Sequence, residues 1–104
     1  MSDIDLKKFR WSRVYESSEI ELQHYLESKG FEAERWEATE FHDFGGQIFT
    51  TDTIIFCAEG GLVFEIDKKK ISLQPGDALR IPANHAFAAK AGMTGCVCYE
   101  VAHA

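Results

Sequence analysis

The sequence predicts an all-β, antiparallel sandwich or closed barrel that carries one short N-terminal helix. Three observations predict it. From residue 31 onward apolar and polar residues alternate over several short runs, the period of a half-buried strand. Glycine and proline turn signals punctuate those runs every 8–12 residues or so, roughly the spacing of sandwiches and barrels. Helix start and stop signals occur together over only one stretch, residues 18–30.

The elements follow in order. Residues 1–10 are polar and read as an arm, and Trp11, Val14 and Tyr15 as a short strand or turn. Ser18 with Glu21 forms a capping box, in which two amide donors left over at a helix start are satisfied reciprocally. Leu22, Tyr25 and Leu26 fall at i, i+3 and i+4 and make one narrow apolar stripe. Gly30 supplies the left-handed position that ends the helix. So short a stripe does not sustain a lone helix in water, so the helix is expected to lie against the outside of a sheet. Phe31, Ala33 and Arg35 then alternate with glutamates, Trp36 and Phe41 follow, and Gly45-Gly46 breaks the pattern. Residues 47–49 and 53–58 read as strands, and Glu59-Gly60-Gly61 as a turn. Leu62, Phe64 and Ile66 alternate with Val63, Glu65 and Asp67, and Ile71 and Leu73 begin the next strand. Pro75-Gly76-Asp77 is a strong turn signal, because proline presets φ and glycine accepts a positive one. Leu79 and Ile81 alternate with Ala78 and Arg80, and residues 86–91 and 96–101 complete the set.

The chain has 104 residues, 45% of them hydrophobic, enough for one domain with a real core. The arm and helix occupy residues 1–30 and the barrel residues 31–104. The formal charge of −6 disfavours nucleic acid and anionic membrane as partners. The lysines at 68–70 read as a solvated turn. No apolar run approaches the ~20 residues that span a bilayer, and the N-terminus lacks the apolar segment of a secretory leader. Three cysteines in such a chain suit reduced thiols and a cytoplasmic location. Cys96 and Cys98 share one side of a strand with Glu100 and are expected on the outer face. Cys57 is expected inside. Phosphate-binding loops, dinucleotide fingerprints and serine–histidine–acid patterns are absent.

The stretch Leu73-Gln74-Pro75-Gly76-Asp77-Ala78-Leu79-Arg80-Ile81-Pro82-Ala83-Asn84 resembles the second conserved motif of the cupin superfamily. Gly76 and Pro82 hold that motif's first two marks at the right spacing. Asn84 stands at its second glycine, where asparagine tolerates left-handed backbone. Residues 56–67 look like the strand–turn–strand that joins the two cupin motifs. The resemblance covers about half the chain, and implies a small jelly-roll barrel of the RmlC-like type, commonly a homodimer. It implies less about function, because the fold hosts many chemistries.

Members of that family hold one divalent metal with three histidines and a glutamate. Aligned from Gly60, the glutamate position is Thr53 and the two histidine positions are Gln47 and Phe49; a one-residue shift gives Gly46 and Ile48 instead. In the second motif the histidine position is Phe87. None keeps the family's ligand. One reading is therefore a degenerate site, a barrel that binds or senses a small organic molecule without metal, with Gln47, Phe49, Thr53, His85 and Phe87 lining the pocket. Ile55, Phe64 and Ile81 share its strand faces. The alternative is a metal-dependent cupin enzyme, an isomerase, dioxygenase or decarboxylase, using zinc, iron or nickel at a displaced site of His42, His85 and Asp52. His24 falls on the helix and His103 in the tail without partners. Glu32, Glu34, Glu37 and Glu40 read as a solvated edge.

Overall fold

A computed structural model describes residues 7–12 and 18–102. Val14, Tyr15 and His103 lie outside the described residues. The elements are β1 (Lys7–Arg10), α1 (Glu19–Ser28), β2 (Glu34–Ala38), β3 (Asp43–Ile48), β4 (Thr53–Ile66), β5 (Lys69–Leu73), β6 (Asp77–Ile81) and β7 (Ala86–Ala102). Every strand pairing is antiparallel.

Two long strands organise the molecule. β4 and β7 pair along nearly their whole lengths, with register shifts at Cys57/Glu59 and Gly60/Leu62. The first half of β4 also pairs β6, which pairs β1, while the second half of β7 pairs β2. Beyond the shifts, the second half of β4 pairs β5 and the first half of β7 pairs β3. One bent ladder thus makes both layers of a sandwich, and the ladder does not close hydrogen bond to hydrogen bond: β1 and β2 end the main path.

The bend explains one departure from the sequence reading. Glu59-Gly60-Gly61 is not a turn between strands but a corner inside β4, and residues 86–91 and 96–101 are halves of one strand. Gly60 has φ of 70° and Gly95 of 73°, a region that costs side-chain-bearing residues roughly 1–2 kcal/mol. A Cβ on Gly60 would sit 2.0 Å from the Gly95 carbonyl oxygen. The corner exists because these positions lack side chains.

Gly45-Gly46 likewise does not break the pattern but lies inside β3, which ends at Ile48; the cap and turn signals hold. Ser18 caps α1, its hydroxyl accepting from the Glu21 amide at 3.3 Å, and Gly30 has φ of 71°. The β4–β5 connection places Asp67 and Lys68 both at positive φ, as a two-residue hairpin turn matching strand twist requires. Asp77 closes its turn through N–H to Gln74 O at 2.9 Å and accepts the Gln74 amide on Oδ2 at 2.9 Å. Asn84 stands at φ of 64°, the left-handed value its motif position demands. Residues 7–10 are not a free arm, since they form β1 against β6.

The core has two parts. Inside the sandwich, Ile55, Cys57, Leu62, Phe64, Leu79, Ile81 and Phe87 pack with Cys96 and Cys98. Outside the first layer, Leu22 and Leu26 of α1 cover Phe56, Ala58, Tyr99 and Val101. Leu22 and Phe56 are wholly buried, each burial contributing about 1.5–3 kcal/mol. Trp11 joins this outer cluster and donates its indole N–H to Cys57 O at 3.1 Å. The Gly76 amide takes the same carbonyl at 3.1 Å. Cys57 lies where the ladder shifts register, so its carbonyl is free for both. A polar clasp completes the docking: Tyr99 OH donates to Glu19 at 2.5 Å and accepts from Gln23 at 2.8 Å, and Arg35 pairs with Glu19.

The faces of the last half-strand correct a sequence expectation. Cys96 and Cys98 point into the sandwich, not outward, and Tyr99 and Val101 lie under the helix. Cross-strand partners project to the same side of a sheet. Cys98 is paired with Cys57, and Glu100 with Ile55, so both inherit the inward direction of their β4 partners.

Candidate functional site

A cavity of about 250 Å³ opens between the layers at the end of the sandwich formed by β2, β3 and the adjoining parts of β4 and β7. Its walls are aromatic: Trp36, Phe44, Phe49, Phe64 and Phe87. The rings stand at angles to one another. Trp36 and Phe44 meet edge to face with centroids 5.2 Å apart, and Phe87 is 5.0 Å from Phe49 and 5.9 Å from Phe64. Ile55 and Ala89 fill the remaining apolar lining, and Gln47, Glu37 and Glu100 contribute the polar part.

Two polar groups here are unusual. The Trp36 indole N–H is buried and meets no hydrogen-bond acceptor, although a buried donor left unpaired costs about 1–3 kcal/mol. Glu100 is half-buried on β7 beside it, Trp36 and Glu100 lying on neighbouring strands two pairs apart from a shared inward face. Burial pushes the Glu100 carboxyl above its ordinary range, and its cross-strand neighbour Glu34 pushes it further. The neighbouring Trp36 indole pulls in the opposite direction. Arg35, the cation of β2, faces the other way, toward Glu19 and Glu37.

Of the five pocket residues expected from sequence, three line this cavity: Gln47, Phe49 and Phe87. Gln47 is exposed at its mouth and donates to Phe44 O at 3.0 Å. Thr53 and His85 do not line it. Thr53 is buried at the start of β4, its hydroxyl donating to Thr51 O at 2.8 Å. His85 is half-buried in the turn before β7, with Nδ1 enclosed and unpaired. Ile81 stays in the core. Trp36, Phe44 and Glu100 were missed. Their signal was present in the pairing, because β2 and β7 partners of an inward β4 face must themselves face inward.

The strand pairing and the corner glycines admit comparison with known folds. No family model and no curated protein matches the chain. Solved structures do. A DUF861 family protein from Thermotoga maritima superposes with TM-score 0.65 at 15% identity, over 95% of this chain and 100% of that one. A cupin superfamily protein from Desulfitobacterium hafniense superposes at 0.61 and 16% identity, over 98% and 81%. The chain has a cupin fold. The EutQ protein of Clostridium difficile is similar over 75% of this chain, which spans 60% of EutQ, with TM-score 0.59 and 22% identity. At such identities the likeness concerns the fold, and function rests on the residues present.

Those residues do not fit the metal that cupin folds commonly hold. At the four ligand positions, Phe49 and Phe87 pack ring against ring, Thr53 is turned to a backbone carbonyl, and Gln47 is at the surface. Apolar rings occupy the space where imidazoles would converge, and one amide is a poor donor set for zinc, iron or nickel. The displaced set does not assemble either. Asp52 is committed to the Ala83 amide at 2.8 Å and to Arg80. His42 is exposed, with its ring against Phe44 at 4.6 Å. Among the described residues no three histidine, cysteine, aspartate or glutamate side chains form a group that could hold a metal ion.

The three thiols form a second polar feature of the cupin interior. All are free and buried. Hydrogen bonding with Cys57, then with Cys96, and burial push the Cys98 thiol far up. Such a group stays protonated and inert. Among the described residues, no helix is long and apolar enough to cross a membrane.

Proposed function

We propose that this cupin-fold protein binds a small organic molecule in the aromatic cavity and does so without a metal. One observation carries the reading: a preformed cavity is walled by five aromatic side chains with only a few polar groups among them. Apolar walls with few convergent polar groups are the usual composition of a ligand pocket. At about 250 Å³ the cavity suits a molecule smaller than the usual drug-sized ligand.

Thermal denaturation against a panel of small organic acids, neutral ring compounds, small ammonium compounds and divalent metals tests the reading. A ligand at a hundred times its dissociation constant stabilises the native state by about 2.7 kcal/mol. The expected result is a raised midpoint with one organic class, abolished in Phe87→Trp, which fills the cavity. A response confined to Zn²⁺, Fe²⁺ or Ni²⁺, and lost in His42→Ala and His85→Ala, would overturn it.

A further inference from the structure

We propose that the cavity is selective for a small methylated organic ammonium, held against the aromatic walls with Glu100 as its counter-ion. The inference rests on the cavity being a ligand site and adds the chemical class of the ligand.

Three observations converge. First, five aromatic side chains on four strands and a loop surround one small volume. Ring faces carry negative quadrupoles, and an enclosure of tilted rings is the recurrent solution for ammonium groups whose charge is spread over methyls. Second, the lining contains two carboxylates, Glu37 and Glu100, and no lysine, arginine or histidine. Glu37 is engaged by Arg35 at 2.9 Å, which leaves Glu100 as the acid of the cavity without a protein cation. Third, the charge around Glu100 is of one sign. From β2 it is faced by its cross-strand partner Glu34 and from β4 by Ile55, while Gln47 of β3 lines the same cavity. A carboxylate drawn partly out of water beside another carboxylate is costly unless a cation arrives. The ligand supplies that cation.

Linkage follows. A cation bound beside Glu100 favours its ionised form, so binding releases a proton when Glu100 is protonated and strengthens as pH rises through its titration. Burial and Glu34 hold that titration above the ordinary value of 4.5.

Calorimetric titration of the full chain decides the matter, with choline and tetramethylammonium as cations. The controls are the neutral isostere of choline, in which carbon replaces nitrogen, and acetate as an anion. The expected result is saturable choline binding that outcompetes the isostere by about tenfold, the effect of one charge-assisted contact. Glu100→Gln should lower choline affinity severalfold toward that of the isostere and leave the isostere unchanged. Choline affinity should fall as the solution is acidified. Equal binding of choline and isostere, or choline binding untouched by Glu100→Gln, overturns the cation inference and leaves the cavity as a ligand site. The same holds if only acetate or a neutral ring compound binds. No heat and no thermal shift with any organic probe overturns both.

Discussion

Replacing Gly60 by alanine tests whether the corner in β4 builds the sandwich. The new methyl would lie 2.0 Å from Gly95 O and 2.8 Å from Gly95 C, where ordinary contacts begin beyond 3.4 Å. Both obstacles are backbone, so no side chain can rotate away. Holding alanine at φ of 70° costs about 1–2 kcal/mol, and forcing apart a packed corner costs a further 1–3 kcal/mol or so. The sum is a large share of a total stability of roughly 5–15 kcal/mol. At about 4–8 °C per kcal/mol for a domain near this size, Gly60→Ala should lower the melting midpoint by roughly 8–40 °C. Two controls separate the terms. Gly45 also has positive φ, 70°, but open space around it, so Gly45→Ala should lose only the conformational part. Gly46 has neither constraint, and Gly46→Ala should change stability by less than about 0.5 kcal/mol. Urea unfolding followed by circular dichroism gives all three values. If Gly60→Ala is no worse than Gly45→Ala, the corner is not sterically determined and the account of the bend is wrong.

Two further outcomes follow from the titrating groups. Hydrogen bonds from Arg35 and then Tyr99 lower the Glu19 carboxyl below 4.5, so its contribution is present above 4.5 and is lost as pH falls through the folded value. Melting curves of Glu19→Gln should therefore be flatter in acid than those of the parent; equal slopes would refute the clasp. Glu100 has the opposite sign: its folded value is raised, so its contribution is present below 4.5 and lost as pH rises. Glu100→Gln should be more stable than the parent at neutral pH and level with it in acid, and a variant less stable at neutral pH would contradict the burial argument. The thiols Cys57, Cys96 and Cys98 are buried, so a thiol reagent should modify none of the three in the folded protein and all three in denaturant. Rapid labelling of any one under native conditions would show that the inward assignment of β7 is wrong.

Much of the fold was legible because its signals are local. The capping box at Ser18, the stop at Gly30, the turn at Gly76 and the left-handed Asn84 each depend on a few adjacent residues, and each is realised. That phenylalanine stands at positions 49 and 87 is equally local, since it is a matter of residue identity. Gln47, Phe49 and Phe87 were placed in the cavity by strand parity from those same motif positions.

What the chain alone left undetermined was phase and continuity. Residues 96–101 are buried on both faces, by the sandwich within and by α1 outside, so their pattern of apolar residues carries no sign of which way they point. Slipping such a strand by one residue exchanges every side chain between faces. Only the pairing of Cys98 with Cys57 and of Glu100 with Ile55 sets the direction, and those contacts join residues far apart in the sequence. The same pairing gathers Trp36 and Glu100 around the aromatic cavity. Residue types thus determined a cupin-like chain with no histidine or glutamate at the four positions where the family places its ligands. Tertiary structure decided that Trp36 and Glu100 gather at the aromatic cavity, because only non-local strand registry can bring β2 and β7 to one face.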